Sequence, residues 1–471
     1  MPTPTRFSSA LLSGAFLLCP ALLSAGTTIH VSAVHDELGG GGCSLRAAVI
    51  AANTDTTVDS CPAGSGADTI VLPAGTFGLS LAGPNEDYAR TGDLDIRGAV
   101  TIQGAGADQT VIAGNHLVDP AEWWANDRVL HVSAHGSLTL TGVAVRSGRC
   151  YSGGGIANHG RLSIVDSEIV GNQTSAYWSC GGGGNWGGGG SIYNRGERHV
   201  LRSRVMGTDG TDGFAGDTTA PGGAIYNAGR ATVVESLIWG WAAAGGGIFN
   251  EGGLRLVDSR LAGSARFMGA ALDNDGGSAV LTRDTVDASV GLGTIVNGHG
   301  INGAPSKLLI ENSTVSGNTN YRLAAISNVN GEVKVVGSTV TGNEAWEWSA
   351  GIAGVVHLTN TVVAGNVGAP NCDAYAVSHG YNADSDNSCN LGTAGDQPNV
   401  DPRLGPLADH GGPTPTHALF EDSPLLDRIP AGLCRFPTDQ RGVARPAGGA
   451  CDIGAFERGP GDLFAPDRND D

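Results

Sequence analysis

The sequence predicts an all-β fold, a parallel β-solenoid, on three observations. A Gly-Gly, apolar, Asn pattern returns many times, short runs alternate apolar and polar residues, and the composition is rich in glycine and poor in charge. Glycine supplies 76 of 471 residues and charged residues only 15%, against the usual ~7% and ~25%. A hydrophobic share of 40% suffices for a core and excludes a disordered chain. The glycines cluster instead of recurring every third residue, which excludes collagen. A net charge of -19 speaks against nucleic acid or anionic lipid as partner, because binding a polyanion needs a basic face.

The chain opens with an apolar run from Ala10 to Leu23, preceded by Arg6 and followed by Ser24-Ala25-Gly26. This is the pattern of a secretory leader, assigned to residues 1–26. The run is too short to span a bilayer. Cys19 within it follows Phe-Leu-Leu and lacks the small residues of a lipidation site. Of nine cysteines eight then remain, arriving as Cys43 and Cys61, Cys150 and Cys180, Cys372 and Cys389, Cys434 and Cys451. Many pairings are open in principle, and the order in an elongated exported chain favours these four local bridges. Each would contribute roughly 3 kcal/mol by restricting the unfolded chain. None of the pairs has the close spacing of zinc ligands, so no metal is expected.

The repeat occupies residues 131–366. Its first half reads Gly154-Gly155-Ile156-Ala157-Asn158, then Gly189 to Asn194, Gly222 to Asn227 and Gly246 to Asn250, with weaker copies ending at Asn274, Asn297 and Asn328. Its second half alternates, as in Leu162-Ser163-Ile164-Val165-Asp166-Ser167-Glu168-Ile169-Val170-Gly171-Asn172, and returns at Leu308 to Asn318, Val333 to Asn343 and Val356 to Asn366. Two short strands fit in each unit, since period-two alternation buries one face. Runs this short and rich in Gly, Ser and Val do not nucleate helix, and without helices there is no βαβ crossover. Stacking the units buries their apolar faces. The turn asparagines, 36, 33, 23, 24, 23 and 31 residues apart, would then bond amide to amide up the stack. The Gly pairs are backbone devices for tight corners.

Near the start, Cys43-Ser44-Leu45-Arg46-Ala47-Ala48-Val49-Ile50-Ala51-Ala52-Asn53 reads as a helix. Ser44 can cap it, and Leu45, Ala48, Val49 and Ala52 share one face. The segment is similar to the opening motif of the CSLREA-domain family of exported proteins, which has Glu where this chain has Ala47; that removes one bond of a capping box. Gly92-Asp93-Leu94-Asp95-Ile96 and Thr101-Ile102-Gln103-Gly104-Ala105-Gly106 continue the likeness. Towards the end, Asp439-Gln440-Arg441-Gly442, Arg445-Pro446 and Cys451-Asp452-Ile453-Gly454-Ala455-Phe456-Glu457 resemble the module called choice-of-anchor Q. The resemblance implies a right-handed parallel β-helix similar to pectate lyases, and the Gly-Gly repeats also resemble polymorphic outer membrane proteins. The expected layout is an N-terminal cap and first coils (27–130), the repeats, a disulfide-braced C-terminal cap (367–457) and an acidic tail (458–471). Such modules often precede a surface anchor. The tail has no apolar stretch or sorting signal, so release outside the cell or into the periplasm is expected, as a monomer.

Function is sought on lateral loops, where a solenoid meets long polymers. Counted back from the turn asparagines, Trp186 lies eight residues away, Trp241 nine, Phe267 and Tyr321 seven; Trp346 and Trp348 occupy the equivalent loop before Gly351. If the coils keep phase, these form one aromatic stripe, with Tyr177, Trp178 and Trp239 beside it. Such rings stack on sugar faces, or alternatively lid the loops against the barrel. Carboxylates are the second candidate: Asp209, Asp212 and Asp217 in one Gly-rich excursion, and Asp273 with Asp275 at a coil corner, with Arg202, Arg266 and Arg283 near in sequence. None falls in a known catalytic signature. The leading expectation is a secreted protein that binds extracellular polysaccharide or a cell-surface glycan without cofactor. The alternatives are a polysaccharide lyase or glycoside hydrolase, in which Ca²⁺ would enter only for the lyase, and a structural adhesin.

Overall fold

The computed structural model describes residues 25–83, 86–114, 127–174, 187–207, 221–300 and 304–462. Among them the strands form two parallel sheets of thirteen strands, one of ten and one of five. A single coil shows the path. Ile225–Asn227 belongs to the third sheet, Arg230–Val234 to the first, Leu237–Trp239 to the second and Trp241–Ala244 to the fourth, before Ile248–Asn250 re-enters the third one level up. This is the expected parallel β-helix. Among the described residues no helix is long and apolar enough to cross a membrane.

Alternation puts one apolar column per sheet inside. In the third sheet it is Ile156, Ile192, Ile225, Ile248, Leu272 and Ile295, all fully buried and paired level by level. Each such side chain stabilises the fold by roughly 1.5–3 kcal/mol. At the corner after these strands the expected asparagine ladder is present. Asn158 Nδ2 donates to Asn194 Oδ1 at 2.6 Å, and the chain continues through Asn227, Asn250 and Asn274 to Asn297 at 2.7 Å per step and to Asn328 at 3.0 Å. The opposite end of the same strands requires glycine. Gly222 has φ 73°, and a Cβ on Gly223 would meet the Trp241 carbonyl at 2.4 Å.

A second ladder lies between the first and second sheets, where a serine recurs but the residue before it varies. A residue in the left-handed region is followed by serine: Asp166-Ser167, Arg202-Ser203, Glu235-Ser236 and Asp258-Ser259. The first three serine N–H groups donate to the next coil's hydroxyl, at 3.1 Å for Ser167 to Ser203 and Ser203 to Ser236 and 3.2 Å for Ser236 to Ser259. Asp284 takes the serine's place in one coil and accepts the Ser259 N–H at 2.7 Å.

The N-terminal helix Leu45–Thr54 is capped as expected, Ser44 Oγ accepting the Ala47 N–H at 3.1 Å. Arg46, fully buried, pairs with Asp36 at 2.6 Å and donates to the carbonyls of Ala89 and Gly92 at 2.9 and 2.7 Å. The two N-terminal motifs are thus one contact. Coil pairing runs past Asn366, with Val362–Ala364 on Ala383–Asp384. The C-terminal module then turns back and lies along the outer face of the second sheet. Thr285 and Thr314 both meet Gln440, at 2.9 and 2.7 Å, and Thr339 Oγ1 accepts the Ala455 N–H at 3.1 Å. Arg441 stacks 3.6 Å above the Phe456 ring. Three bridges form as read, Cys43–Cys61, Cys372–Cys389 and Cys434–Cys451. Cys150 is also disulfide-bonded, and its expected partner Cys180 lies outside the described residues, as does most of the segment expected to be a leader.

Candidate functional site

The three-residue strands of the third sheet point their first and last residues inward and their middle residue outward. The outward column reads Asp95, His131, Ala157, Tyr193, Tyr226, Phe249 and Asp273. Because neighbouring strands lie about 4.8 Å apart, the three rings stack. Tyr193 and Tyr226 have centroids 5.0 Å apart, and Tyr226 and Phe249 5.5 Å, with interplanar angles of 17° and 16°.

Titratable groups sit at both ends of this stack. At one end His131 Nδ1 is 2.8 Å from Asp95 Oδ1, and its Nε2 is 3.3 Å from His159 Nδ1. Burial, with the nearby His131 and arginines, pulls the His159 pKa down to about 4, so that ring is neutral at physiological pH. His159 also borders a depression of about 390 Å³ lined by His135, Arg161 and Glu197. Mid-stack, the Tyr226 hydroxyl donates to Glu251, and burial together with that carboxylate pushes the phenol above its ordinary range. At the other end His299 Nδ1 lies 3.1 Å from Asp273 Oδ2. Burial raises the Asp273 carboxyl, and the bond to Asp273 raises His299. Asp273 Oδ1 is buried and has no hydrogen-bond partner. Asp275 Oδ1 accepts the Gly300 N–H at 3.0 Å. A neutral imidazole, a protonated phenol and an Asp–His pair on one face are the kinds of group that acid–base chemistry uses.

Among the described residues the expected aromatics do not fall into one stripe. Strands of the fourth sheet set their own register, which aligns Trp241 with Ser264, Val290, Thr319 and Glu344. Loops of unequal length carry the rings out of phase, so counting back from the asparagines misplaces them. Tyr321 and Trp346 do meet, with centroids 5.1 Å apart. Trp348 follows two residues on with φ 63°. These three side chains are 43%, 60% and 68% exposed. Phe267 is exposed beside Arg266, 5.5 Å away, and Trp239 sits half-buried opposite Met206 in the second sheet. Arg202 and Arg283 do not serve acidic loops. They pair with Asp166 and Asp258 at 2.8 and 2.6 Å, bracing the serine corner. Trp186, Tyr177, Trp178, Asp209, Asp212 and Asp217 lie outside the described residues. The sequence reading missed His131, His159, Tyr226, Glu251 and His299, whose partners come from other coils.

No protein-family model matches the chain, and no curated protein does either. Among solved structures it is similar to the pectate lyase Pel9A, at 14% identity over 93% of this chain and 97% of that one, with a TM-score of 0.47. It is also similar to the A-modules of the mannuronan C-5 epimerases AlgE4 and AlgE6 of Azotobacter vinelandii, each at 15% identity. These cover 68% and 71% of this chain and 80% and 88% of theirs, with TM-scores of 0.33 and 0.29.

Proposed function

We propose that this chain is an exported glycan-binding protein of the CSLREA and choice-of-anchor Q type, which meets its ligand through the platform of Tyr321, Trp346 and Trp348. The reading is supported by one observation above all. Three large aromatic side chains are left exposed on two successive coils, where a packing role would have buried them, and flat amphipathic rings suit sugar faces. Trp348 sits in the left-handed region, which costs a bulky residue about 1–2 kcal/mol. Disulfides agree with an oxidising compartment, and the net charge of -19 favours a neutral polysaccharide over a uronic-acid polymer. The test is retention on immobilised neutral and acidic polysaccharides. Trp346→Ala with Trp348→Ala should abolish retention while leaving the melting temperature unchanged; full retention by that variant overturns the proposal.

A second reading, a polysaccharide lyase or hydrolase, is favoured by the acid–base groups on the third-sheet face. Release of reducing ends or unsaturated product, lost in His299→Gln or His159→Gln, would support it. The absence of product across the panel, with and without Ca²⁺, removes it.

A further inference from the structure

Asp87, Asp95 and His131 offer ligand atoms that all lie within 4.8 Å of one another. We infer that they form a binding site for one divalent transition metal ion of the zinc type. His131 Nδ1 is 2.8 Å from Asp95 Oδ1 and 3.9 Å from Asp87 Oδ1. Ligands held about 2.0–2.2 Å from a tetrahedral zinc stand roughly 3.3 Å apart, so small side-chain shifts close the set. One imidazole with two carboxylates selects zinc or manganese over Ca²⁺, which takes oxygen ligands.

The surroundings are built for these roles. Asp95 is buried, and its second oxygen accepts the Ala89 N–H at 2.9 Å. His131 Nε2 faces His159 Nδ1 at 3.3 Å, so His159 can accept the N–H that a metal-bound histidine donates to a neighbouring acceptor, the place a carboxylate or carbonyl usually takes. The loop bearing Asp87 is fixed independently of the site. Glu86 accepts the Tyr88 and Thr91 N–H groups at 2.9 Å each, Arg97 stacks on Tyr88 at 4.5 Å, and Arg46 grips Ala89 and Gly92. The Asp87 side chain is 81% exposed, so the ion would keep a side open to water, as sites with three protein ligands do. This inference is independent of the glycan reading.

Chelator-stripped full-length protein is titrated with Zn²⁺, Mn²⁺ and Ca²⁺ by calorimetry, with bound metal counted by elemental analysis. One Zn²⁺ per chain is expected, outcompeting Ca²⁺. Asp87→Asn and His131→Gln should abolish binding, and His159→Gln should weaken it roughly 10–100-fold. Asp87→Asn alters an exposed side chain, so its loss of binding with an unchanged melting temperature separates ligation from folding. The exposed pair His357 and His379, with nitrogens 2.9 Å apart, is the rival site. Absent Zn²⁺ binding, or binding that survives Asp87→Asn and His131→Gln but disappears in His357→Gln with His379→Gln, overturns the inference.

Discussion

The third residue of the third-sheet strand is asparagine in seven successive coils, from Asn158 to Asn328, whereas the residue before it is Ala157, Tyr193, Tyr226, Phe249, Asp273, Val296 and Ser327. Both positions are set by the same backbone pairing and differ only in the side of the sheet they face. On the inner side each amide must satisfy the coils above and below, so the residue type is fixed. The outer side carries no such chain of obligations, and its chemistry varies from coil to coil. Inner positions repeat one residue type to keep the ladder, whereas outer positions, although also buried and in part packed as a ring cluster, differ in chemistry and bear acids, bases and rings.

The largest effect is expected on the inner side. Asn250→Ala removes the acceptor for Asn227 and the donor to Asn274 and Gly252. Leaving these buried groups unmatched should cost about 3 kcal/mol, read as a lower denaturation midpoint. Next comes an inner position that breaks the rule. Arg198 points into the core, paired in register with Leu162 and Ala231. Its guanidinium nitrogens are buried with no hydrogen-bond partner, and burial lowers its pKa to about 9. Arg198→Met should therefore stabilise the protein by roughly 2 kcal/mol. A destabilised variant would mean that the charge has an unseen role in holding the coil.

A smaller effect belongs to the serine corner. Burial holds the Asp284 carboxyl well above its ordinary pKa, so the folded state binds that proton more tightly than the unfolded one. The favourable contribution is complete below the unfolded value near 3.8 and is lost as pH rises through the folded one. Asp284→Ser, which restores the corner's usual residue, should be more stabilising at pH 7 than at pH 4. Equal effects at both pH values would contradict this.

What could be read from the sequence follows the same division. The asparagine ladder was legible because one residue type recurs at one place in the unit. The serine corner was not, because the left-handed residue before the serine changes from Asp166 to Arg202 to Glu235, hiding the period. Local disulfides and the Ser44 cap could be read because their partners are close in sequence. The outer face was hidden for the opposite reason. Asp95 and His131 are 36 residues apart, Asp273 and His299 26, and Tyr226 and Glu251 25, so only the stacking of coils brings each pair together. Among the described residues the aromatics do not share one phase because that phase was counted across loops of unequal length, while Tyr321 and Trp346 meet through the fourth sheet's own register.

The contrast between the inner asparagine ladder and the exposed aromatic platform beside the fourth sheet is tested most directly by the denaturant midpoints of Asn250→Ala and Trp346→Ala measured side by side. The midpoint should fall by the equivalent of about 3 kcal/mol for the asparagine variant and stay at the wild-type value for the tryptophan variant. Comparable losses in both, or a wild-type midpoint for Asn250→Ala, would contradict the account.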